Sequence, residues 1–207
     1  MQLIKKMLIN GTVVSGLFFG LMFSANAEGG FKPPQWKSAD SLYLTKAEQG
    51  DAIAQYNMGT LYYSGKGVEQ DYAKARQWYE KAANQGSAKA QYNLGVMYEH
   101  GQGVRQDYTK ARQWYEKSVN QGLAEAQYNL GMLYDQGEGV RQDYIKAASL
   151  YEKAANQGLA DAQVKLGLMY HLGYGVSQNM AAAVEWYGKA CDNGLQLGCD
   201  GYRLFKD

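Results

Sequence analysis

The chain has 207 residues, and its 21 lysines and arginines nearly balance its 20 aspartates and glutamates, which gives a formal net charge of +1. This balance argues against a nucleic-acid-binding protein, whose surface needs clustered basic residues. Two cysteines, two histidines and no HExxH motif make a metal site a poor fit to the composition. We therefore predict no nucleic acid, no metal and no cofactor.

Residues 1–27 have the layout of a secretory signal peptide. Two lysines precede an apolar stretch over 7–23, and the triplet Ala25-Asn26-Ala27 has the small-x-small form of a cleavage site. The alternative is a membrane anchor, but a spanning helix needs about 20 apolar residues and this stretch is shorter. The sequence predicts cleavage after Ala27, a periplasmic or secreted mature chain, and no stable membrane insertion.

Glycines recur at a fixed interval of 36 residues. They are Gly59, Gly95, Gly131 and Gly167, and other glycines, alanines and tyrosines share this period. A period of this length is typical of stacked supersecondary units rather than of one closed globule. The sequence therefore predicts four repeats, over 51–86, 87–122, 123–158 and 159–194.

Each repeat has the pattern of two helices. In the first repeat, Ala54, Met58 and Leu61 place an apolar stripe at helical spacing, and the second half carries another such stripe. Asp71 precedes the second helix as a preferred N-cap residue, and Gly86 follows it where left-handed dihedrals suit glycine. With no strand pattern present, we predict an all-α protein, a right-handed α-solenoid of stacked antiparallel helix pairs.

Two repeated features invite a functional interpretation but favour packing. Gly59 and its equivalents fall inside the first helix, where glycine costs about 1 kcal/mol relative to alanine. We interpret them as points of close helix approach, with a hinge as the alternative. Trp78 and Tyr79 recur in core register, with Leu150 in place of tryptophan in one repeat, which favours core packing over stacking on bases or sugars.

Partial units are expected at both ends of the array. Residues 42–50 predict an N-terminal capping helix after a flexible leader over 28–41, and residues 195–207 predict a C-terminal capping fragment. Cys191 and Cys199 lie on either side of the last junction. Two cysteines in an exported chain predict one disulfide, with free thiols as the alternative.

The motifs AxAQYNLGxxY, GxGVxQD and a Trp-Tyr-x-Lys-Ala run that ends in glycine resemble the Sel-one-like repeat (SLR) family, a branch of the tetratricopeptide-like superfamily. The resemblance covers 51–194. The spacing of Cys191 and Cys199 resembles the cysteine-rich secreted bacterial members, although those carry a pair in nearly every repeat. The resemblance implies a scaffold that binds proteins through the concave groove of the superhelix.

By analogy with this family, the first helices line the concave surface. Positions 53, 57, 60 and 64 form a narrow arc opposite the apolar stripe, and they vary between repeats. An asparagine recurs at the second of them, and its amide offers the donor and acceptor that a peptide backbone needs. The alternative is that each asparagine bonds backbone within the stack. The candidate groove residues are Asn57, Asn93, Asn129, Lys89, His100, Glu125 and Lys165.

We predict a monomeric, non-enzymatic adaptor that binds a protein or an extended peptide. One alternative is β-lactam binding or hydrolysis, reported for cysteine-rich relatives, but no serine here has lysine three positions on, as serine β-lactamases require. Another is the binding of cell-wall peptide or glycan. His100 is the only ring among the arc positions, which weakens sugar stacking and leaves cell-wall peptides open.

Overall fold

The computed structural model describes residues 37–206, so the predicted signal peptide and most of the predicted leader lie outside the described residues. This range contains ten helices and no strand, and none of its helices has the length and apolarity to cross a membrane. The helices are α1 (Lys37–Glu48), α2 (Ala52–Ser64), α3 (Tyr72–Asn84), α4 (Ala88–His100), α5 (Tyr108–Val119), α6 (Ala124–Gln136), α7 (Tyr144–Asn156), α8 (Ala160–Leu172), α9 (Met180–Asp192) and α10 (Gln196–Phe205).

Each helix packs mainly against its neighbours in the chain, so α2–α3, α4–α5, α6–α7 and α8–α9 form four successive pairs. The predicted all-α solenoid is confirmed. The front helix begins at Lys37, inside the stretch that we predicted to be a flexible leader, and ends at Glu48. The predicted C-terminal fragment is the helix α10.

The second helices have the predicted N-cap residues and the predicted glycine after their ends. The Asp71 carboxylate accepts a hydrogen bond from the backbone N–H of Lys74 at 2.9 Å, and Asp107, Asp143 and Asn179 cap the later second helices in the same way. Gly86 follows α3 with φ +91°, a left-handed conformation that side-chain-bearing residues rarely adopt. These caps fix where each second helix begins and how the chain leaves it.

The glycine inside each first helix makes room for a tyrosine ring. A Cβ atom on Gly59 would lie 2.5 Å from Cδ1 of Tyr79, and the equivalent glycines lie against equivalent tyrosines in the other three pairs. All four tyrosines are fully buried: Tyr79, Tyr115, Tyr151 and Tyr187. The predicted close approach of the two helices is confirmed. Three of the rings donate their hydroxyl to the first helix of their own pair: Tyr79, Tyr115 and Tyr151.

A buried glutamine of each first helix bonds to a residue just past the end of the second helix of its own pair. The buried Gln55 donates its side-chain amide to the Ala47 carbonyl at 3.0 Å, and its own carbonyl accepts from Gln85 at 2.7 Å. The same contact joins Gln91 to Gln121, Gln127 to Gln157 and Gln163 to Asn193. Because a buried amide without partners is costly, the bonds that Gln55, Gln91 and Gln163 donate to a carbonyl of the preceding helix favour one register between neighbouring units.

The predicted disulfide is present between Cys191 of α9 and Cys199 of α10, whose Cα atoms are 4.4 Å apart. It closes a short loop across the last junction of the array. Since α10 contacts little beyond α9 and α8, this bond holds the final helix on the last complete pair.

Candidate functional site

The predicted binding surface lies on the first helix of each pair, α2, α4, α6 and α8. We call it the first-helix face and define it by positions 53, 57, 60 and 64 and their equivalents at intervals of 36 residues. Lys89, His100 and Glu125 are exposed on this face. The other candidate residues are half-buried, and these are Asn57, Asn93, Asn129 and Lys165. The seven residues share one face and differ in how far solvent reaches them.

Asn129 is bonded to the unit before its own. Its side-chain amide donates to the Tyr115 hydroxyl of α5 at 3.0 Å, and that hydroxyl donates to a carboxylate oxygen of Glu99 in α4 at 2.5 Å. In the preceding unit, burial raises the pKa of the equivalent Tyr79, whose hydroxyl donates to the Thr60 hydroxyl at 3.3 Å, and Thr60 and Asn93 both oppose this rise. Part of the Asn129 amide is thus used within the stack, on a tyrosine hydroxyl rather than on backbone.

Lys165 stands in the fourth unit where the first three have asparagine. Its ammonium nitrogen lies 3.8 Å from Oδ2 of Asp135, and the same oxygen accepts the Tyr151 hydroxyl at 3.3 Å. Burial lowers the pKa of Lys165, and the charge of Asp135 opposes this shift. Positions 57, 93, 129 and 165 form one row of equivalent residues. At the other end of this row, Asn57 makes no side-chain hydrogen bond to any residue from 37 to 206.

Two carboxylates that sequence analysis did not single out occupy one repeated position beside this row. They are Glu99 and Asp135, where the first and fourth units have Tyr63 and His171. Burial raises the pKa of Glu99, and the hydrogen bond from Tyr115 opposes the rise. The contact of each carboxylate with a buried tyrosine could not be found from spacing within one helix, because its partner comes from the other helix of the pair.

A row of half-buried tyrosines lies beside these polar groups. The ring centroid of Tyr92 is 5.8 Å from that of Tyr115, and Tyr56 and Tyr128 make the same contact within their own pairs. These tyrosines recur in three of the four repeats, which is typical of packing residues, so their pattern did not suggest a place on the binding face.

The middle of the first-helix face is acidic. Burial raises the pKa of Tyr92 to about 12, and the charges of Glu125 and Glu99 add to the rise. Burial also raises the pKa of Tyr128, to which Asp161 adds. Carboxylates on α4, α6 and α8 are therefore close enough to act on the phenols between them. Together these helices present carboxylates, phenols and amides to a ligand.

The first-helix face ends under α10. Phe205 packs on the rings of His171 and Tyr187, at centroid distances of 4.4 Å and 5.9 Å. The Tyr187 hydroxyl and Nδ1 of His171 are buried and make no hydrogen bond within residues 37–206. Leu168, on the same face, is only 7% exposed. A ligand on this face therefore has the helices α2, α4 and α6 most open to it.

The loop edge carries two equivalent clefts that sequence analysis also missed. The larger has a volume of about 1040 Å³ and is lined by Arg112, Arg141 and Lys146 among others. The smaller has about 740 Å³ and contains the residues 36 positions earlier, Arg76, Arg105 and Lys110. Within the described part of the chain, no group of three His, Cys, Asp or Glu side chains could hold a metal ion.

Solved structures of similar proteins have the same fold. A protective antigen of uropathogenic Escherichia coli strains, described as having an SLR fold, is 39% identical with a TM-score of 0.75, over 77% of this chain and 34% of that one. A Sel1 repeat protein from Oxalobacter formigenes is 35% identical with a TM-score of 0.74, over 78% of this chain and 64% of that one. This chain thus spans less than two thirds of either protein.

Helicobacter pylori cysteine rich protein B is 29% identical with a TM-score of 0.52, over 66% of this chain and 98% of that one. No curated protein matches the chain. The Sel1 repeat family matches residues 52–87, 88–123, 124–159 and 160–195, each one residue later than the repeats predicted from the sequence. The chain therefore belongs to the family of Sel1 repeat proteins.

Proposed function

We propose that this Sel1 repeat protein is an exported, non-enzymatic adaptor that binds an extended segment of a partner protein along the first-helix face. Sel1 repeat solenoids are generally scaffolds for protein interaction. The disulfide and the signal-like sequence of residues 1–27 support export, as does the likeness to a protective antigen. The β-lactam and cell-wall alternatives gain no support from the described residues.

The observation that most supports the proposal is a contrast between neighbouring positions. Position 54 and its equivalents are buried alanine in every repeat. Position 53, one residue earlier, points away from this core and differs in every repeat: Ile53, Lys89, Glu125 and Asp161. Packing fixes the first position and leaves the second free, so the second can be adapted to a ligand without loss of the stack.

The asparagines keep a group for this ligand. An amide has two N–H hydrogens and one carbonyl oxygen, and the Asn129 bond to Tyr115 uses a hydrogen. The carbonyl oxygen can accept a peptide N–H. Beside it, Glu125 and Lys89 are exposed and differ in charge, so they can contribute selectivity for side chains.

A selection from a random peptide library on the oxidised protein without residues 1–27 tests this proposal. The dissociation constants of the selected peptides are then measured for the variant Lys89→Ala/Glu125→Ala. The control is Gln77→Ala/Gln113→Ala, which changes two exposed residues of the second helices. We expect at least tenfold weaker binding by the first variant and unchanged binding by the control. Equal effects of the two variants, or no selected peptide, would contradict the proposal.

A further inference from the structure

The two clefts at the loop edge are built from the same parts. The lower cleft comprises Arg76, Arg105 and Lys110, and the upper cleft comprises Arg112, Arg141 and Lys146. In each, one arginine comes from a second helix, one from the loop that follows the next first helix, and the lysine from the start of the next second helix. Each cleft thus exists only where two helix pairs meet.

The stack does not need these basic residues. Where the third pair meets the fourth, the equivalent positions hold Ala148, Ser177 and Ala182, and the first loop has Glu69 in place of arginine. The loops still have the same backbone there, since Gly175 lies against the backbone of Tyr144 as Gly103 lies against that of Tyr72. The complete set of three basic residues therefore occurs only where the first pair meets the second and the second meets the third, and it calls for an explanation other than packing.

In each cleft, two basic residues form ion pairs and one arginine has no ion-pair partner among residues 37–206. In the upper cleft, Arg112 pairs with Glu116 at 2.6 Å and Lys146 with Asp143 at 3.8 Å. Arg141 is exposed and forms no ion pair with any residue from 37 to 206. In the lower cleft, Arg76 pairs with Glu80 and Lys110 with Asp107. Arg105, which is equivalent to Arg141, is likewise exposed and forms no ion pair within that range.

We propose that the two clefts bind the side-chain carboxylates of an acidic segment of a partner polypeptide, one carboxylate in each cleft. A guanidinium binds a carboxylate through two parallel hydrogen bonds, and its single positive charge matches the single negative charge of that group. The clefts lie on the loop edge and not on the first-helix face, so this site is additional to the one proposed above.

The upper cleft also offers apolar contact beside the charge. Ile145, which lines it, is 72% exposed, and the ring of Tyr144 stacks on that of Tyr174 at a centroid distance of 5.0 Å. Exposed apolar side chains at the rim of a charged cleft can bury the stem of a glutamate or a neighbouring apolar residue. We therefore expect the upper cleft to bind more tightly than the lower one.

The test uses fluorescent Gly-Ser peptides that carry two glutamates at spacings from one to six residues, titrated with the oxidised protein without residues 1–27. Fluorescence anisotropy gives the dissociation constant. We expect one spacing to bind best, and replacement of both glutamates by glutamine to weaken it at least tenfold. Equal binding of the glutamine peptide, no dependence on spacing, or no binding of any peptide at about 1 mM would overturn the proposal.

The matched variants are Arg105→Ala/Arg141→Ala and Lys153→Ala/Arg203→Ala, which remove the same charge inside and outside the clefts. Because all four residues are exposed, both variants are expected to keep the melting temperature of the parent. Only the cleft variant should lose binding, and Arg141→Ala should lose more than Arg105→Ala. Equal loss in the two double variants would reduce the effect to net charge, and tighter binding of a matched phosphoserine peptide would overturn the assignment to carboxylates.

The result of this cleft test can be distinguished from the result of the test of the proposed function. Lys89→Ala/Glu125→Ala alters the first-helix face and should leave the binding of the two-glutamate peptide unchanged. Failure of the cleft peptides therefore counts against the clefts alone.

Discussion

At the residue scale, Asn129 has two roles that can be separated by experiment. It donates to Tyr115 inside the stack, and its carbonyl oxygen is left for a ligand. We predict that Asn93→Ala/Asn129→Ala weakens a peptide bound to the first-helix face at least tenfold. The free energy of unfolding should fall by only about 1 kcal/mol for each lost hydrogen bond, because the Tyr115 hydroxyl keeps Glu99 as its acceptor.

Calorimetry and peptide titration on the same samples check this prediction. The control is Asn84→Ala/Asn156→Ala, which removes two exposed asparagines from the ends of second helices. A collapse of the melting temperature in the first-helix variant would mean that the asparagine row serves the stack alone.

Glu99 should make stability depend on pH. Burial holds its pKa above the ordinary value of 4.5, despite the hydrogen bond from Tyr115 and the nearby charge of His100, with Glu138 adding to the rise. The charged form is therefore disfavoured in the folded protein, a penalty that is absent below pH 4.5 and grows as the pH rises through the raised pKa. We predict that Glu99→Gln stabilises the protein at pH 7 and that this gain shrinks toward pH 4.

Urea unfolding at pH 4 and pH 7 measures the effect, with Glu125→Gln as an exposed control on the same face. A gain from Glu99→Gln that is equal at the two pH values would indicate that packing, and not ionisation, is responsible.

At the scale of an element, each helix pair depends on a glycine facing a tyrosine. Alanine at position 59 would gain about 1 kcal/mol of helix propensity, but its Cβ would lie 2.5 Å from the buried ring of Tyr79. Overpacking of this kind costs about 1–3 kcal/mol. We predict that Gly59→Ala lowers the free energy of unfolding.

Gly188→Ala is the matched control, because this helical glycine has only the exposed Tyr202 side chain nearby, at 3.3 Å. It should be neutral or stabilising. If both substitutions stabilise, the glycine inside the first helix is not required for the approach of the two helices.

The ends of the second helices could be predicted from the sequence, whereas the start of α1 could not. Asp71 and Gly86 identified the ends of a second helix because caps depend on a few adjacent residues. The start of α1 at Lys37 was missed, since a terminal helix has no complete repeat with which to align. Glu99 and Tyr92 were missed as site residues because their partners lie on other helices.

At the scale of the whole molecule, the disulfide should act locally. A solenoid unit contacts only its neighbours, so stability lost at one end is not shared equally along the array. We predict that Cys191→Ser/Cys199→Ser costs roughly 2–3 kcal/mol of closure entropy and exposes the amides of α10 to hydrogen exchange.

Hydrogen exchange read by mass spectrometry tests this, with α2 to α4 as the internal reference. Protection should be lost in α10 and kept in α2 to α4. A uniform loss along the chain would mean that the array unfolds as one cooperative unit.

The sequence by itself determined the period, the helix pairs, the caps and the family, because a repeat must fit its own copy and so writes its packing contacts at a fixed interval. Only the tertiary structure decided which polar residues meet. The bond from Asn129 to Tyr115 and the clefts around Arg105 and Arg141 join residues of different units. The 36-residue register brings these side chains together across a junction, and no single helix pattern contains that geometry.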